Sequence, residues 1–463
     1  MNTPVDQTDR DTVSSGEANS VLAIFHSLPT DPAKNAQMLV LERLIRLGWR
    51  VTVLTVSQSA PTTELDVWRG VRILRWTPRG WRWRIASRLD RLRRTRHHGL
   101  VRTWFSRLLL PFSTVLAFPD TKACANREIV DKALQLHRED PFAILLSLYS
   151  PVSSHLAAQR ISKATAIPWV ALTKDFYSWP DRLLKSRMNR VVNVLKRWYE
   201  PHTVRGAKLL LSTTDYYHDH QRKLLPEMPL GTLLHCYDEN SFAEMSHFPE
   251  DGVFRLVSIG VVRNQDGFED VEKLSVLFEV LDEMKRDGLD CGTFRLRVIG
   301  ELPEFVYGIA RQYNCEEFVD AVPRVSHQEA MRELVQANCL YYMQTVYGAR
   351  RRLVEYMASR RPILAYPSYA GTLSERLLSD YGAALIAADK QALKTQLVQW
   401  YTRFRETGRL QLPVNEAVVC RHSASQRAEE LAAILTPLIV QKHRDSEMLV
   451  GGGNIPGVLA GGS

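Results

Sequence analysis

Residues 344–366 read QTVYGARRRLVEYMASRRPILAY. An apolar run, Leu340 to Met343, leads into this stretch, and a Gly-containing loop follows over Thr345 to Arg350. A short helical pattern comes next, and Arg361-Pro362 closes it before a second apolar run. Strand, loop, helix and strand in so short a span form a parallel βαβ unit. A glycine loop feeding a helix N-terminus presents free N–H groups and the positive end of the helix dipole to an anion. Arg350, Arg351 and Arg352 sharpen that preference toward phosphate. Glu355, one turn in, is placed to accept hydrogen bonds from vicinal ribose hydroxyls. The same spacing also supports a plain Arg351–Glu355 ion pair on a surface helix.

The rhythm continues on both sides. Downstream of residue 254, strands are expected at 255–259, 294–299, 340–343, 362–366 and 383–387, with Gly260 and Gly300 ending the first two. Ser326 and Glu329 form a capping box before a helix through Val335. Upstream, strands are expected at 21–25, 51–56, 143–149, 169–173 and 209–212, with a helix over 35–47 stopped by Gly48. The fold class is therefore α/β, with two doubly wound parallel-sheet domains facing across a cleft, their ligand loops at the strand C-termini. The expected division is a disordered tail at 1–20, a first domain at 21–245, a second at 246–415 and a second disordered tail at 441–463. A C-terminal helix over 416–440 returns to complete the first domain. No G-x-G-x-x-G follows the first strand and no P-loop signature is present, which argues against a simple dehydrogenase or P-loop enzyme.

Composition narrows the class. The chain has 463 residues, 45% hydrophobic and 24% charged, as in a soluble globular protein. No apolar run is long enough to span a bilayer. The polar N-terminus lacks the pattern of a secretory signal. Six scattered cysteines include no C-x-x-C pair, which fits a reducing cytoplasm. The net charge of +9 is local: residues 72–107 hold twelve arginines against one acid, Asp90, leaving the remaining chain slightly acidic. Within that basic insertion Trp76, Trp81, Trp83, Trp104 and Phe105 interleave with the arginines. Arg91, Arg93, Arg94 and Arg96 then form a patch suited to an anionic membrane surface. RNA and a solvated helical insertion are the competing readings. The membrane is the one expected, with no nucleic-acid partner.

The run Arg352-Leu353-Val354-Glu355-Tyr356-Met357-Ala358, followed by Arg361-Pro362-Ile363-Leu364, resembles the donor-site signature of glycosyltransferase family 4. The resemblance extends to 255–260, 298–300 and 325–327 in the second half. In the first half it takes in 167–170, Lys174-Asp175-Phe176, 210–213 and 235–238. It implies the GT-B architecture and a retaining, metal-independent transfer from a nucleotide-sugar, with no cofactor. The second domain would hold the donor through Gly260, Arg263, Gly348, Arg352 and Glu355. Asp175 would face the reacting centre from the acceptor side, its alternative being a turn or N-cap aspartate; His26 is a reserve candidate. The implied context is cell-surface polysaccharide or glycolipid synthesis, with a lipid-linked acceptor and a peripheral position on the inner membrane face. Members often carry an acid where this chain has Tyr347. That departure keeps open a catalytically silent nucleotide-binding or scaffold protein, beside a GT-B sugar-nucleotide epimerase.

Overall fold

The computed structural model describes residues 19–56, 64–79, 83, 118–180, 187–242, 251–260, 262, 264–265, 268–300 and 303–451. Arg91, Arg93, Arg94, Arg96 and Arg263 lie outside the described residues.

The first half is an eight-stranded sheet of β1 (Ser20–Phe25), β2 (Arg50–Val56), β3 (Glu64–Trp68), β4 (Val71–Trp76), β5 (Ile144–Tyr149), β6 (Trp169–Thr173), β7 (Leu209–Ser212) and β8 (Leu230–Thr232). Their spatial order is β3-β4-β2-β1-β5-β6-β7-β8, parallel except for the β3–β4 edge pair. Helices α1 (Ala36–Arg46), α2 (Asn126–Glu139), α3 (Ser153–Thr165), α4 (Arg187–Thr203) and α5 (His218–Leu224) join the strands. The second half orders its six strands differently in space from their order in the chain. They are β9 (Phe254–Ile259), β12 (Phe294–Ile299), β13 (Val319–Val322), β14 (Cys339–Met343), β15 (Ile363–Tyr366) and β16 (Ala384–Ile386), with a two-residue pair, β10 (Asn264–Gln265) and β11 (Phe268–Glu269), beside the sheet. The order β13-β12-β9-β14-β15-β16 reverses direction between β9 and β14. Its helices are α6 (Asp270–Arg286), α7 (Pro303–Gln312), α8 (His327–Gln336), α9 (Arg351–Ala358), α10 (Leu373–Tyr381) and α11 (Lys390–Thr407). The chain ends on α12 (Glu416–Arg421) and α13 (Ala424–Gly451).

Both sheets are covered on both faces at their centres, so central strands bury side chains on both sides. Val21, Ala23 and Phe25 of β1 enter one core while Leu22 and Ile24 enter the other. Cys339, Tyr341 and Met343 of β14 divide from Leu340 and Tyr342 in the same way. Helix starts follow their side-chain caps: Asn35 accepts from Gln37 N and Ser326 from Glu329 N.

Three expectations are corrected. The range 72–107 begins inside the sheet, since Arg72 and Arg75 lie on β4, where Val71, Ile73 and Leu74 are buried. Trp76 donates to Glu128, and Trp83 is buried in a core beneath the Lys122 ammonium. The C-terminal helix is two helices broken at His422–Ser423, and α13 continues to Gly451 instead of ending at 440. Residues 441–450 contain no Gly or Pro to stop it. Ala424, Ala428, Leu431, Leu435 and Ile439 of α13 pack in one core with β1 and α1. Among the described residues, no helix is long and apolar enough to cross a membrane.

Candidate functional site

Strand C-termini of the two sheets converge on one cavity of about 170 Å³. The first half supplies Lys174, Asp175, Phe176 and Trp179 after β6, and Thr213, Thr214 and Tyr217 after β7. His235 comes from the stretch following β8. The second half supplies Tyr347, Gly348, Ala349 and Arg350 from the loop between β14 and α9.

Asp175 is exposed at the cavity and sits in a bend, not at a helix start. Its carbonyl accepts the Thr173 hydroxyl at 2.6 Å, which fixes the turn out of β6. The following residues are pinned from behind by α4. Asn193 exchanges two 2.7 Å hydrogen bonds with the Trp179 backbone. The Glu200 carboxylate accepts the Ser178 hydroxyl and its N–H. Burial pushes the Glu200 carboxyl up to about 7, against the pull of those Ser178 bonds and of Lys196 and Arg197.

Gly348 lies in the left-handed region at φ +83°, and a Cβ there would come within 2.9 Å of Thr214 Oγ1. The absence of a side chain lets the donor-side loop touch the opposite half. Beside it Tyr347 is buried, standing edge-on to Trp179 (5.5 Å, 88°) and Tyr216 (5.9 Å, 81°). The position where an acid was expected by resemblance is thus part of an aromatic cluster that crosses the cleft, with Phe176 and Tyr217.

Outside the residues that line the cavity, Gly260 follows β9 at φ +126° and the Arg352 guanidinium lies against it; a Cβ would fall 1.9 Å from Arg352 Nη2. Gly300, following β12, also approaches Gly260, its Cβ position 2.9 Å from the Gly260 carbonyl. Tyr356 of α9 accepts the Ile259 N–H at 2.7 Å and locks the helix to β9. Arg352, Gly260 and the first turn of α9 are therefore brought together in one place. Glu355 is mostly buried and paired with Arg351 Nε at 2.7 Å, the ion pair that spacing alone allowed. Arg351 in turn donates to the carbonyls of Lys34 (2.7 Å) and Ala33 (3.4 Å) in the loop after β1. His327, at the start of α8, is held below its usual range first by burial, with Arg351 also lowering it and Glu355 acting against them.

Sequence reasoning placed Arg350 in the phosphate-facing loop but missed Thr214, Tyr217 and Trp179 as cavity residues. Lys174 and His235 stood in quoted motifs without a role. His26 does not line the cavity: it is buried, its Nε2 is 2.6 Å from Asn126 Oδ1, and burial pushes it down to about 4. His235 is pushed down to about 3, by burial first and then by Arg351 and Lys174, so its imidazole is neutral. Positive charge at the cavity therefore comes from Lys174 and Arg350. Among the described residues no three His, Cys, Asp or Glu side chains are grouped to hold a metal ion.

No family model matches the chain, and no curated protein matches it in sequence. Solved structures do match over nearly the whole length. Sucrose-phosphate synthase from Thermosynechococcus elongatus superposes with a TM-score of 0.54 at 12% identity, covering 94% of this chain and 100% of that one. A trehalose-6-phosphate protein from E. coli bound with UDP-2-fluoro glucose gives 0.58 at 10% identity over 91% and 99%. A UDP-forming α,α-trehalose-phosphate synthase from Burkholderia xenovorans, in complex with glucose-6-phosphate, gives 0.57 at 9% over 90% and 99%. The chain shares the fold of these GT-B proteins.

Proposed function

We propose that the protein transfers a sugar from a nucleoside-diphosphate sugar to an acceptor entering from the first half, with retention of configuration and without a bound metal. The observation that carries this reading is the Arg352 guanidinium seated on Gly260 at the first turn of α9, the helix that directly follows the Tyr347–Arg350 wall of the cavity. A diphosphate there would meet a guanidinium and a helix N-terminus, both of which gain interaction as negative charge develops on the leaving group. Glu355 would turn from Arg351 to the ribose, and Arg263 would add a second cation. Asp175 and Lys174 face the same cavity from the acceptor side. Lys174 and Arg350 suit a phosphate-bearing acceptor, a chemistry that sugar phosphates and lipid-linked phosphates share. A glycolipid or polysaccharide setting, with the segment 72–107 and its Arg91, Arg93, Arg94 and Arg96 on an anionic membrane, is the form of this reading we favour. UDP-glucose is the first donor to try, because similar folds have been solved with a UDP-sugar analogue.

The test is UDP release from UDP-glucose, with and without glucose-6-phosphate, in EDTA. Turnover in the chelator, lost in Glu355→Ala while that variant stays folded, is the expected result. Turnover abolished by EDTA and restored by magnesium or manganese would overturn the metal-free reading. The aromatic burial of Tyr347 favours one alternative, a silent nucleotide-binding protein. That reading predicts a UDP-dependent rise in melting temperature with no turnover on any donor or acceptor.

A further inference from the structure

Four of the large apolar side chains exposed on the surface lie on the single helix α4: Val191 (63%), Val194 (62%), Leu195 (46%) and Trp198 (68%). Their spacing, i, i+3, i+4 and i+7, puts them in one stripe. The opposite face of α4 does different work. It buries Asn193 and Glu200, which hold Trp179 and Ser178, and it sets Lys196 over the Tyr177 ring at 5.6 Å. We propose that the outer stripe of α4 is a membrane-insertion face, which lies in the plane of an anionic bilayer and sets the acceptor side of the cleft toward it.

Charge selects this occupant. Besides the buried Glu200, α4 carries no acid, while Arg190 and Arg197 flank the stripe. A second copy docking face to face would oppose cation to cation, whereas an anionic lipid surface would answer both the apolar stripe and its rim. Phe118 packs edge-on against Tyr199 of α4 at 4.9 Å. Arginines supply a salt-sensitive attraction and the stripe a salt-resistant anchor. Because α4 also grips the loop bearing Asp175 and Trp179, lipid contact on its outer face fixes the orientation of the acceptor cavity.

This inference rests on the membrane form of the proposed function, and its test is separable from sugar transfer. The full chain is sedimented with phosphatidylcholine vesicles containing 30% phosphatidylglycerol, and with pure phosphatidylcholine, at low and at roughly 0.5 M salt, where screening is within a few ångströms. The parent should pellet with anionic vesicles and keep part of that binding at high salt. The Val194→Gln/Leu195→Gln/Trp198→Gln variant should bind on the order of tenfold more weakly and lose the salt-resistant part. Leu65→Gln/Val67→Gln, altering comparably exposed apolar side chains on the β3 edge, should bind like the parent. UDP-induced thermal stabilisation of the triple variant, unchanged from the parent, shows that the donor side is intact. Equal pelleting of parent and triple variant, or no pelleting of the parent, overturns the proposal. So does a parent that is dimeric by light scattering and that the triple variant makes monomeric without a change in vesicle binding. Loss of UDP stabilisation with vesicle binding intact would strike the transfer reading alone.

Discussion

At Gly260 a single methyl group would collide with the guanidinium that carries the donor-site reading. Two costs combine there: φ of +126° is a conformation that L side chains rarely adopt, and the added Cβ would overlap Arg352. The backbone cost should be on the order of 1–3 kcal/mol. The steric conflict is relieved differently, because the obstructing atoms are the far end of a flexible side chain. Gly260→Ala should therefore remain folded, melt at a lower temperature, and place Arg352 off its seat. Its nucleotide affinity should fall about as far as that of Arg352→Ala. The double variant should be no worse than Arg352→Ala alone, since both changes remove the same contact. Calorimetric titration with UDP checks this. Additive losses, or an unchanged affinity in Gly260→Ala, would remove Arg352 from the diphosphate site.

At the scale of one element, α4 holds the acceptor loop through a carboxyl group that titrates where few carboxyls do. Glu200 is raised by burial from its ordinary 4.5 to about 7, so the folded protein binds its proton more tightly than the unfolded chain does. Stability from this group is present in full below pH 4.5 and is lost as pH rises toward 7. Against Glu200→Gln, the parent should lose on the order of 3 kcal/mol of relative stability between about pH 4.5 and 7, and no more above that. Urea unfolding of both proteins across that window measures it, and parallel pH profiles would refute it. This element also marks where sequence reading stops. The core strands were legible because β1, β6 and β14 are nearly continuous apolar runs bounded by turn residues, while β12 alternates apolar residues with Arg295 and Arg297. By contrast β3 was not, because at the sheet edge Leu65 and Val67 point outward at 59% and 62% exposure and break the inside–outside pattern. Short β8 and β13 carry too few residues for a pattern to show. The loop and helix bearing Gly348, Arg352 and Glu355 were readable because they lie in one continuous stretch. The opposite wall is assembled from Trp179, Thr214, Tyr217 and His235, which are far apart in the chain and meet only through sheet order. The expected acid was a matter of motif alone, and the packing of Tyr347 between Trp179 and Tyr216 could not be seen without the second half of the cleft.

Across the whole molecule, the two sheets are joined in two ways. Behind the cleft the chain crosses twice, side by side: Tyr237 pairs with Ser423 as a β-bridge, and buried Asp238 accepts from Arg43 at 3.0 Å and Arg69 at 3.2 Å. Tyr237 packs in a core of the second half while its neighbour Cys236, and Ala424 after Ser423, pack in a core of the first, which makes this crossing a hinge rather than a latch. Across the mouth the contacts are of another kind. Arg351 reaches the Ala33 and Lys34 carbonyls, Arg376 pairs with Asp215, the Thr214 hydroxyl donates to the Tyr347 carbonyl at 3.4 Å, and the Tyr347 ring lies against Trp179 and Tyr216. The Arg376–Asp215 pair is half exposed and so worth little alone. Closure thus depends on Arg351 and Tyr347. Because Arg351 is also the partner of Glu355, a ribose that draws Glu355 away would release Arg351 to the first half alone, so that donor binding and closure would be coupled through one guanidinium. Arg351→Ala/Tyr347→Ala should open the cleft while leaving both cores folded. Small-angle scattering should show a larger radius of gyration than for the parent without ligand, and far-ultraviolet circular dichroism should be unchanged. UDP-glucose should shrink the variant less than the parent, and its affinity should fall because the open state must be closed at the expense of binding energy. Identical scattering profiles for the two proteins would mean that the hinge alone holds the domains together, and the mouth contacts would then be bystanders to closure.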